Sequence, residues 1–191
     1  MCIRDSVYTV TVTDDFGASV TQPVTIVIQG TNDPPEPAPT PGLLGALSGA
    51  ALFLEATDAS AQDLLPRSGT VAVADSDIGD TLTATIFGTP TLTYSGGALP
   101  PGADLSALTA LSALTLGSAT SNGGTVDLDW TYDPAAANLD FLRRGERLTV
   151  QYGFVVSDGE SQSLPQSLTF IVIGTNAVSY THLTLPTNRE V

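Results

Sequence analysis

The sequence predicts an all-β fold in which two sheets pack face to face around one core. Short runs of alternating apolar and polar residues recur along the chain, as in Val126–Tyr132 and Leu148–Val156. These runs are rich in Val, Thr, Tyr and Phe, and Gly, Pro, Asn and Asp separate them, which is typical of half-buried strands. No series of long helical patterns accompanies them. A β-sandwich is therefore the expected architecture.

The composition excludes several classes of protein. The chain has 191 residues, of which 42% are apolar, and 6 basic against 20 acidic residues give a net charge of −14. Such a chain can form a core, but it cannot neutralise phosphates, so nucleic acid is not an expected partner. The longest apolar stretch, Leu43–Leu54, is shorter than the roughly 20 residues that a membrane span needs. Membrane insertion is therefore not expected.

The two ends of the chain look like one DNA sequence translated from opposite strands. The codons ATG TGT ATA AGA GAC encode MCIRD, and their reverse complement encodes VSYTH, which occurs at residues 178–182. The DNA resembles the transposase end sequence used to prepare sequencing libraries. Residues 1–6 and 178–191 are therefore expected to be adaptor-derived. They hold the only Cys, Met and His, so residues 7–177 offer neither thiol nor imidazole catalysis, and an enzyme is not expected.

Residues 8–32 and 152–176 repeat one another, without a gap, at a separation of 144 residues. Tyr8 aligns with Tyr152, Asp14 aligns with Asp158, and both segments end in Gly-Thr-Asn. Such self-similarity is the signature of a tandem array, so the expected partners are neighbouring repeats of the same chain. The expected organisation is a C-terminal hairpin of a preceding unit at 7–30, a proline-rich linker at 31–41, a complete unit at 42–174 and the start of the next linker at 175–177.

Two stretches of the complete unit are not strand-like. Leu105, Leu108, Leu111 and Leu114 recur every three residues, which predicts a short helix or a 3₁₀ turn packed on the sandwich. Residues 135–142 follow a proline, and we expect one or two helical turns there. The five prolines of the linker predict a stiff, extended connection.

Several segments resemble a known family. They are GTNDPP, SGTVAVADSDIGDTLTATI and WTYDPAAANLDFLRRGERLTVQYGFVVSDG. They are similar to the VCBS repeat of very large bacterial surface proteins, and the resemblance covers most of residues 7–177. It implies an immunoglobulin-like or cadherin-like sandwich, serial copies in extracellular adhesins and a mainly structural role as stalk or spacer. It also implies calcium as a stiffening cofactor.

The acidic segment Asp75–Asp80 is the best candidate for a cation site. Calcium binds about six to eight oxygen ligands, several of them carboxylates. Asp75 and Asp77 are two residues apart, so on an extended chain they point to the same side, and Gly79 permits a turn that returns Asp80. The segment is not an EF-hand, because position 12 of a loop that starts at Asp75 is Ile86 and not Glu. The alternative is that these are turn aspartates on a solvated loop.

The resemblance to cadherin-like junctions implies a calcium half-site at each end of the unit. At the first end, Asn32 and Asp33 of the linker and Asp14 of the preceding unit would join Asp75 and Asp77. At the far end, Glu55 and Asp158 would form the matching half-site, with Asn176 from the next linker.

Other chemistry-bearing residues have a structural interpretation beside the functional one. Asp127 and Asp129 share one strand face and resemble a catalytic carboxylate pair, but the polar face of an outer strand is expected. Trp130 could stack on a sugar, yet it alternates with Val126 and Leu128, which favours the core.

Three arginines, Arg143, Arg144 and Arg147, lie in the predicted turn FLRRGERL. They could pair with acidic residues of the same or a neighbouring unit, but a solvated turn is the simpler interpretation. The function expected is therefore a calcium-stiffened spacer on the bacterial cell surface or in a secreted adhesin. The alternative is a module that binds a glycan or a protein through loops such as Ser95–Pro101, without calcium.

Overall fold

The structure is a computed structural model that describes residues 3–38, 52–56 and 61–175. Within these ranges the chain forms eleven strands: β1 (Ile3–Thr13), β2 (Ser19–Gln29), β3 (Glu36–Pro37), β4 (Leu52–Leu54), β5 (Arg67–Ala74), β6 (Ile78–Tyr94), β7 (Leu114–Leu116), β8 (Ser118–Asn122), β9 (Thr125–Tyr132), β10 (Arg147–Ser157) and β11 (Gln166–Ile173). A four-residue helix, α1 (Ser106–Thr109), and a 3₁₀ turn (Leu111–Ala113) lie between β6 and β7. No helix in the described ranges has the length and apolar character needed to cross a membrane.

Nine of the strands form the two predicted sheets. One sheet has the order β4-β11-β10-β6-β8, and the other has the order β3-β5-β9-β7. All neighbours are antiparallel except β11 and β4. The chain changes sheets at Gly117, between β7 and β8. The fold is thus an immunoglobulin-like all-β sandwich, as predicted.

Alternation along the strands determines the core. Apart from the half-buried Val126, the inward residues of β9 and β10 are fully or almost fully buried. Tyr132 stacks on Phe170 of β11 with 4.0 Å between ring centroids. Trp130 is 4% exposed and packs edge-on against the same Phe170, so the core interpretation is confirmed and a sugar platform is wrong. Asp127 and Asp129 point away from the core and are exposed, as expected of an outer strand face.

The leucine-rich insertion packs on the sandwich as predicted. Leu105, Leu108 and Leu114 are buried, whereas Leu111 is mostly exposed. The helical prediction for residues 135–142 is wrong, because no helix forms there. Ala137 exchanges both backbone hydrogen bonds with Gln62, so these groups are not available to a helix.

The linker ends earlier than predicted. Glu36 and Pro37 form β3 and pair with Val73 and Ala74 of β5, so they are the edge of the second sheet. A proline fits an edge strand because one side of that strand has no ladder bonds to supply. Residues 39–41 of the predicted linker, residues 42–51 of the predicted unit and residues 178–191 lie outside the described part of the chain.

The β1–β2 hairpin forms a sheet of its own. Tyr8 pairs with Val24, and the equivalent Tyr152 pairs with Leu168, so the two hairpins have the same register at the 144-residue separation. β1 begins at Ile3, inside the segment expected to be adaptor-derived, because β2 extends far enough to pair with it. Apolar side chains that β10–β11 turns into the core are exposed here: Val10, Val12, Val24, Ile26 and Ile28.

The two ends of the sandwich carry different loops. The proximal end is the end that the segment after β2 contacts. It carries the β5–β6 turn, the β8–β9 turn and the β10–β11 loop. The distal end is the opposite end of the sandwich. It carries the last residues of β6, β9 and β11 and the first residue of β10.

Candidate metal site

The turn between β5 and β6 gathers three carboxylates. The Asp77 backbone N–H donates to Asp75 Oδ1 at 2.8 Å, and Gly79 has a φ of +99°, which reverses the chain toward Asp80. Each of the three aspartates offers an oxygen within 4.8 Å of the others. The predicted cluster is therefore present, although a turn produces it rather than the extended chain that we expected for Asp75 and Asp77.

Asp75 has a carboxylate oxygen without a protein partner. The residue is 3% exposed, and its Oδ2 is buried without a hydrogen bond to any described residue. Burial raises the pKa of Asp75, and the charges of Asp158, Asp80 and Asp77 raise it further. Asp75 also lines an open cleft of about 360 Å³ together with Asp33 and other residues. A cation would satisfy this oxygen and neutralise the surrounding charge.

The segment after β2 lies on the cluster. The Asn32 side-chain amide donates to Asp158 Oδ2 at 2.9 Å and to Ser161 Oγ at 3.0 Å. The Asp33 backbone N–H donates to Asp77 Oδ2 at 2.8 Å. The structure therefore brings Asp33 to the acidic turn, as predicted, and binds Asn32 to the neighbouring β10–β11 loop. It also adds Ser161, for which the sequence offered no signal.

Asp158 lies at the proximal end, not in the predicted half-site with Glu55. The β10–β11 loop that carries it returns to the acidic turn, where its charge acts on Asp75. Burial opposes the ionisation of Asp158, but hydrogen bonds from Asn32, Ser161 and Glu160 outweigh it and hold its pKa below the usual value. This carboxylate is therefore kept charged beside the cluster.

Asp14 is not part of the cluster, so its predicted place in the first half-site is wrong. Its Oδ1 accepts the N–H groups of Phe16 at 3.0 Å and Ala18 at 2.8 Å, within the β1–β2 turn. That turn and the segment after β2 lie at opposite ends of the hairpin. Strands of 11 residues place these ends about 35 Å apart, at roughly 3.3 Å per residue.

Glu55 lies at the distal end, where it holds the end of β11. Its Oε2 accepts the Thr175 N–H at 2.7 Å, whereas Oε1 is buried without a partner among the described residues. Burial raises the pKa of Glu55, and the charge of Asp140 adds to the shift. Glu55 and Asp158 therefore lie at opposite ends of β11 and cannot share one ion. Asn176 lies outside the described residues.

The oxygen atoms clustered at the proximal end are suited to a hard divalent cation. The donors are the carboxylate oxygens of Asp75, Asp77 and Asp80, which calcium prefers, and the described cluster includes no nitrogen or sulfur ligand. The repeat in the sequence also indicates where Asp158 lies. Asp14 and Asn32 occupy opposite ends of one hairpin, so their equivalents Asp158 and Asn176 must also lie at opposite ends.

Fold and site together define an immunoglobulin-like β-sandwich with an acidic cluster at the end where the chain enters. No family model matches the chain, and no curated protein matches it. Among solved structures, the chain is similar to the ASH/PapD-like domain 7 of human CEP192, with a TM-score of 0.34 and 9% identity, covering 66% of this chain and 82% of that chain. At this TM-score the likeness carries no functional argument.

Proposed function

We propose that this chain is a spacer module of a tandem-repeat bacterial surface or secreted adhesin, and that calcium at the proximal end secures its linker to the sandwich. One observation carries the proposal. Asn32 and Asp33 of the linker hydrogen-bond to Asp158 and Asp77, directly beside the buried and unpartnered oxygen of Asp75. An ion there would bind the linker and two loops of the sandwich at once.

The proposed mechanism is mechanical. Without a cation, the carboxylates of Asp33, Asp75, Asp77 and Asp158 repel one another, and this repulsion opposes docking of the linker. A calcium ion would neutralise that charge and hold the linker in one direction. Because Asp14 is remote, the ion would be held by one unit and its own preceding linker, not shared between two sandwiches as the cadherin-like comparison implied.

The remaining support comes from the repeat and the linker. The two hairpins share one register, which fits serial copies of one sandwich, and the sequence resembles the VCBS repeat. Prolines at positions 34, 35 and 37 restrict the connection, which suits a stalk. The exposed aromatic side chains among the described residues are Tyr8, Phe16 and Phe87, and none belongs to the acidic turn or the linker. This distribution favours a spacer over a glycan-binding module.

Thermal unfolding of the full chain in EDTA and in calcium from micromolar to about 10 mM tests the proposal. We expect Tm to rise with calcium and to respond much less to magnesium. In Asp75→Ala/Asp77→Ala the calcium response should disappear. Asp127→Ala/Asp129→Ala removes the same charge from the outer face of β9 and should retain the response. A Tm that is independent of calcium in the unsubstituted chain would overturn the calcium part of the proposal.

A further inference from the structure

The arginines of the sandwich whose side chains are described are confined to one of its ends. Among the described residues, the proximal end carries no arginine and seven acidic residues: Asp33, Glu36, Asp75, Asp77, Asp80, Asp158 and Glu160. The arginines whose side chains are described all lie at the distal end and are exposed: Arg67, Arg143, Arg144 and Arg147. The distal end also carries acidic residues, among them Glu55, Asp133, Asp140 and Glu146, so its arginines form a local cationic patch and not a positive surface. In a head-to-tail array this patch would meet the acidic proximal end of the next unit.

The backbone connects the arginines at 143–147, here called the arginine turn, to the end of β11. The Gly145 N–H donates to the Gly174 carbonyl at 3.0 Å, and the Gly174 N–H donates to the Glu146 carbonyl at 2.9 Å. A Cβ at Gly174 would overlap the Arg143 carbonyl, so only glycine permits this approach. The arginine turn is therefore held at the point where the chain leaves the sandwich.

The 144-residue repeat relates this exit point to the entry point of the next unit. Gly174 and Thr175 correspond to Gly30 and Thr31, and the next position, Asn32, binds Asp158 and Ser161 of the sandwich that comes after it. Only one residue, a threonine, lies between the glycine that the arginine turn holds and the asparagine that binds the next β10–β11 loop, so these two positions are two residues apart. Two residues span at most about 7 Å.

We propose that the arginine turn of one unit docks against the β10–β11 loop of the following unit, with Arg143 and Arg144 facing Glu160. This inference rests on the tandem array of the proposed function. Glu160 is exposed, and its backbone N–H donates to Asp158 Oδ1 at 2.7 Å, which fixes the loop that presents its carboxylate. Calcium would neutralise the inner carboxylates, and the arginines would neutralise the outer ones.

The contact would determine orientation more than affinity. Exposed ion pairs contribute little by themselves, about 0–1 kcal/mol each. A short linker raises the effective concentration of the two surfaces to the millimolar range, so a weak attraction is enough to select one arrangement. Charge complementarity of this kind also opposes the reverse arrangement, because two acidic proximal ends repel.

Cysteine cross-linking within a two-unit chain tests the geometry. One extra copy of residues 33–176 is inserted after Asn176 of the full chain, which restores the native Gly-Thr-Asn-Asp joint, and Cys2 is changed to Ser. Arg144→Cys in the first unit and Glu160→Cys in the second should form an internal disulfide under mild oxidation in EDTA. The control exchanges the two positions between units, which places the cysteines at the outer ends. We expect cross-linking at least about tenfold faster than in the control, given the effective concentration across a short linker.

Charge reversal in the cysteine-free two-unit chain tests the electrostatics by small-angle X-ray scattering. Arg143→Glu/Arg144→Glu in the first unit should broaden the distribution of interdomain distances, and added Glu160→Arg in the second unit should restore it. The same double change in the second unit faces no further sandwich and should have no effect. Equal cross-linking in both cysteine placements, or equal scattering changes in both units, would overturn the inference. Calcium titration of the single-unit chain tests the proposed metal site independently of this contact between units.

Discussion

Asn32 and Asp158 are 126 residues apart in the sequence, yet the asparagine side-chain amide donates to the aspartate Oδ2 at 2.9 Å. The bond joins the incoming linker to the β10–β11 loop, beside the acidic turn that follows β5. It also contributes to keeping the pKa of Asp158 low. The direction of the linker, the charge of the loop and the candidate cation site are therefore parts of one arrangement.

Asn32→Ala should release the linker from the sandwich. The lost bond is charge-assisted, so we expect a decrease of about 1–2 kcal/mol in the free energy of unfolding. We also expect faster amide hydrogen exchange at the Asp33 N–H, which donates to Asp77. Thr31→Ala, at an exposed neighbouring position, is the control and should change neither quantity. Unchanged exchange at Asp33 in Asn32→Ala would show that the asparagine does not hold the linker.

Asp75→Asn should stabilise the calcium-free chain. The asparagine keeps an acceptor for the Asp77 N–H and replaces a buried, unpartnered charged oxygen with a neutral amide. We expect a gain of about 1 kcal/mol in EDTA, the scale of one unsatisfied buried group, and loss of the calcium response. Urea unfolding with and without calcium measures both effects. Asp129→Asn on the outer face is the matched control and should leave both quantities near those of the unsubstituted chain.

Acidification should stabilise the calcium-free protein at first. Burial raises the folded-state pKa of Asp75 above 3.8 and that of Glu55 above 4.5, so the folded chain binds more protons than the unfolded chain above those values. Stability therefore rises as the pH falls through the folded-state pKa values toward the ordinary ones. Asp158 acts oppositely, because its lowered pKa contributes stability that is lost only when the pH falls below 3.8.

Urea unfolding in EDTA between about pH 7 and pH 4.5 measures this dependence, with saturating calcium as the comparison. Calcium should weaken the gain on acidification, because it stabilises the ionised form of Asp75. A general decrease in repulsion at net charge −14 would also favour folding at lower pH. Asp75→Asn separates the two causes, since it should decrease the slope if Asp75 is responsible. An unchanged slope in that variant would assign the effect to Glu55 and the general charge.

Tyr152→Phe should destabilise the sandwich more than Tyr132→Phe. The Tyr152 hydroxyl lies 2.7 Å from the Ala110 carbonyl and 3.0 Å from the Leu108 carbonyl, which also accepts from Tyr132 at 2.8 Å. Removing the Tyr152 hydroxyl takes a donor away from two carbonyls, whereas Tyr132→Phe affects only that of Leu108. We expect a loss of about 0.5–1.5 kcal/mol per hydrogen bond, because Ala110 still accepts the Ala113 N–H at 2.9 Å and Leu108 retains one donor in either variant. Burial raises the pKa of Tyr152 to about 12, so the hydroxyl stays protonated throughout the measurable range.

The double variant Tyr132→Phe/Tyr152→Phe completes a thermodynamic cycle. Because both hydroxyls contact Leu108, we expect the combined loss to exceed the sum of the single losses. Chemical unfolding of the four chains measures the coupling. Additive losses would mean that the two tyrosines hold the leucine-rich insertion independently.

Gly174→Ala should displace the arginine turn. The added Cβ would approach the Leu142 side chain at 2.8 Å and overlap the Arg143 carbonyl, and neither can move without disturbing the turn. We expect a loss of about 1–3 kcal/mol, typical of overpacking. Gly124→Ala is the control, because its Cβ would meet only Asn122 at an ordinary 3.4 Å. Equal stability of the two variants would contradict the close approach at Gly174.

Local patterns accounted for the strands but not for every connection. Alternation in Val126–Tyr132 predicted the buried Trp130 and the exposed Asp127, because a strand turns successive side chains to opposite faces whatever surrounds it. The stretch after Pro134 was wrongly expected to be helical. There Ala137 pairs with Gln62, a partner that no local pattern reveals.

By itself the sequence determined the all-β class, the faces of the main strands, the repeat of 144 residues and the cluster of Asp75, Asp77 and Asp80. These depend on short-range rules of pleat, turn and period. Only the tertiary structure decided that Asp158 joins the proximal cluster and that Glu55 lies at the distal end. The same holds for the burial of Asp75. Such features depend on how strands far apart in sequence are ordered within two sheets, and that order is a property of the packed sandwich.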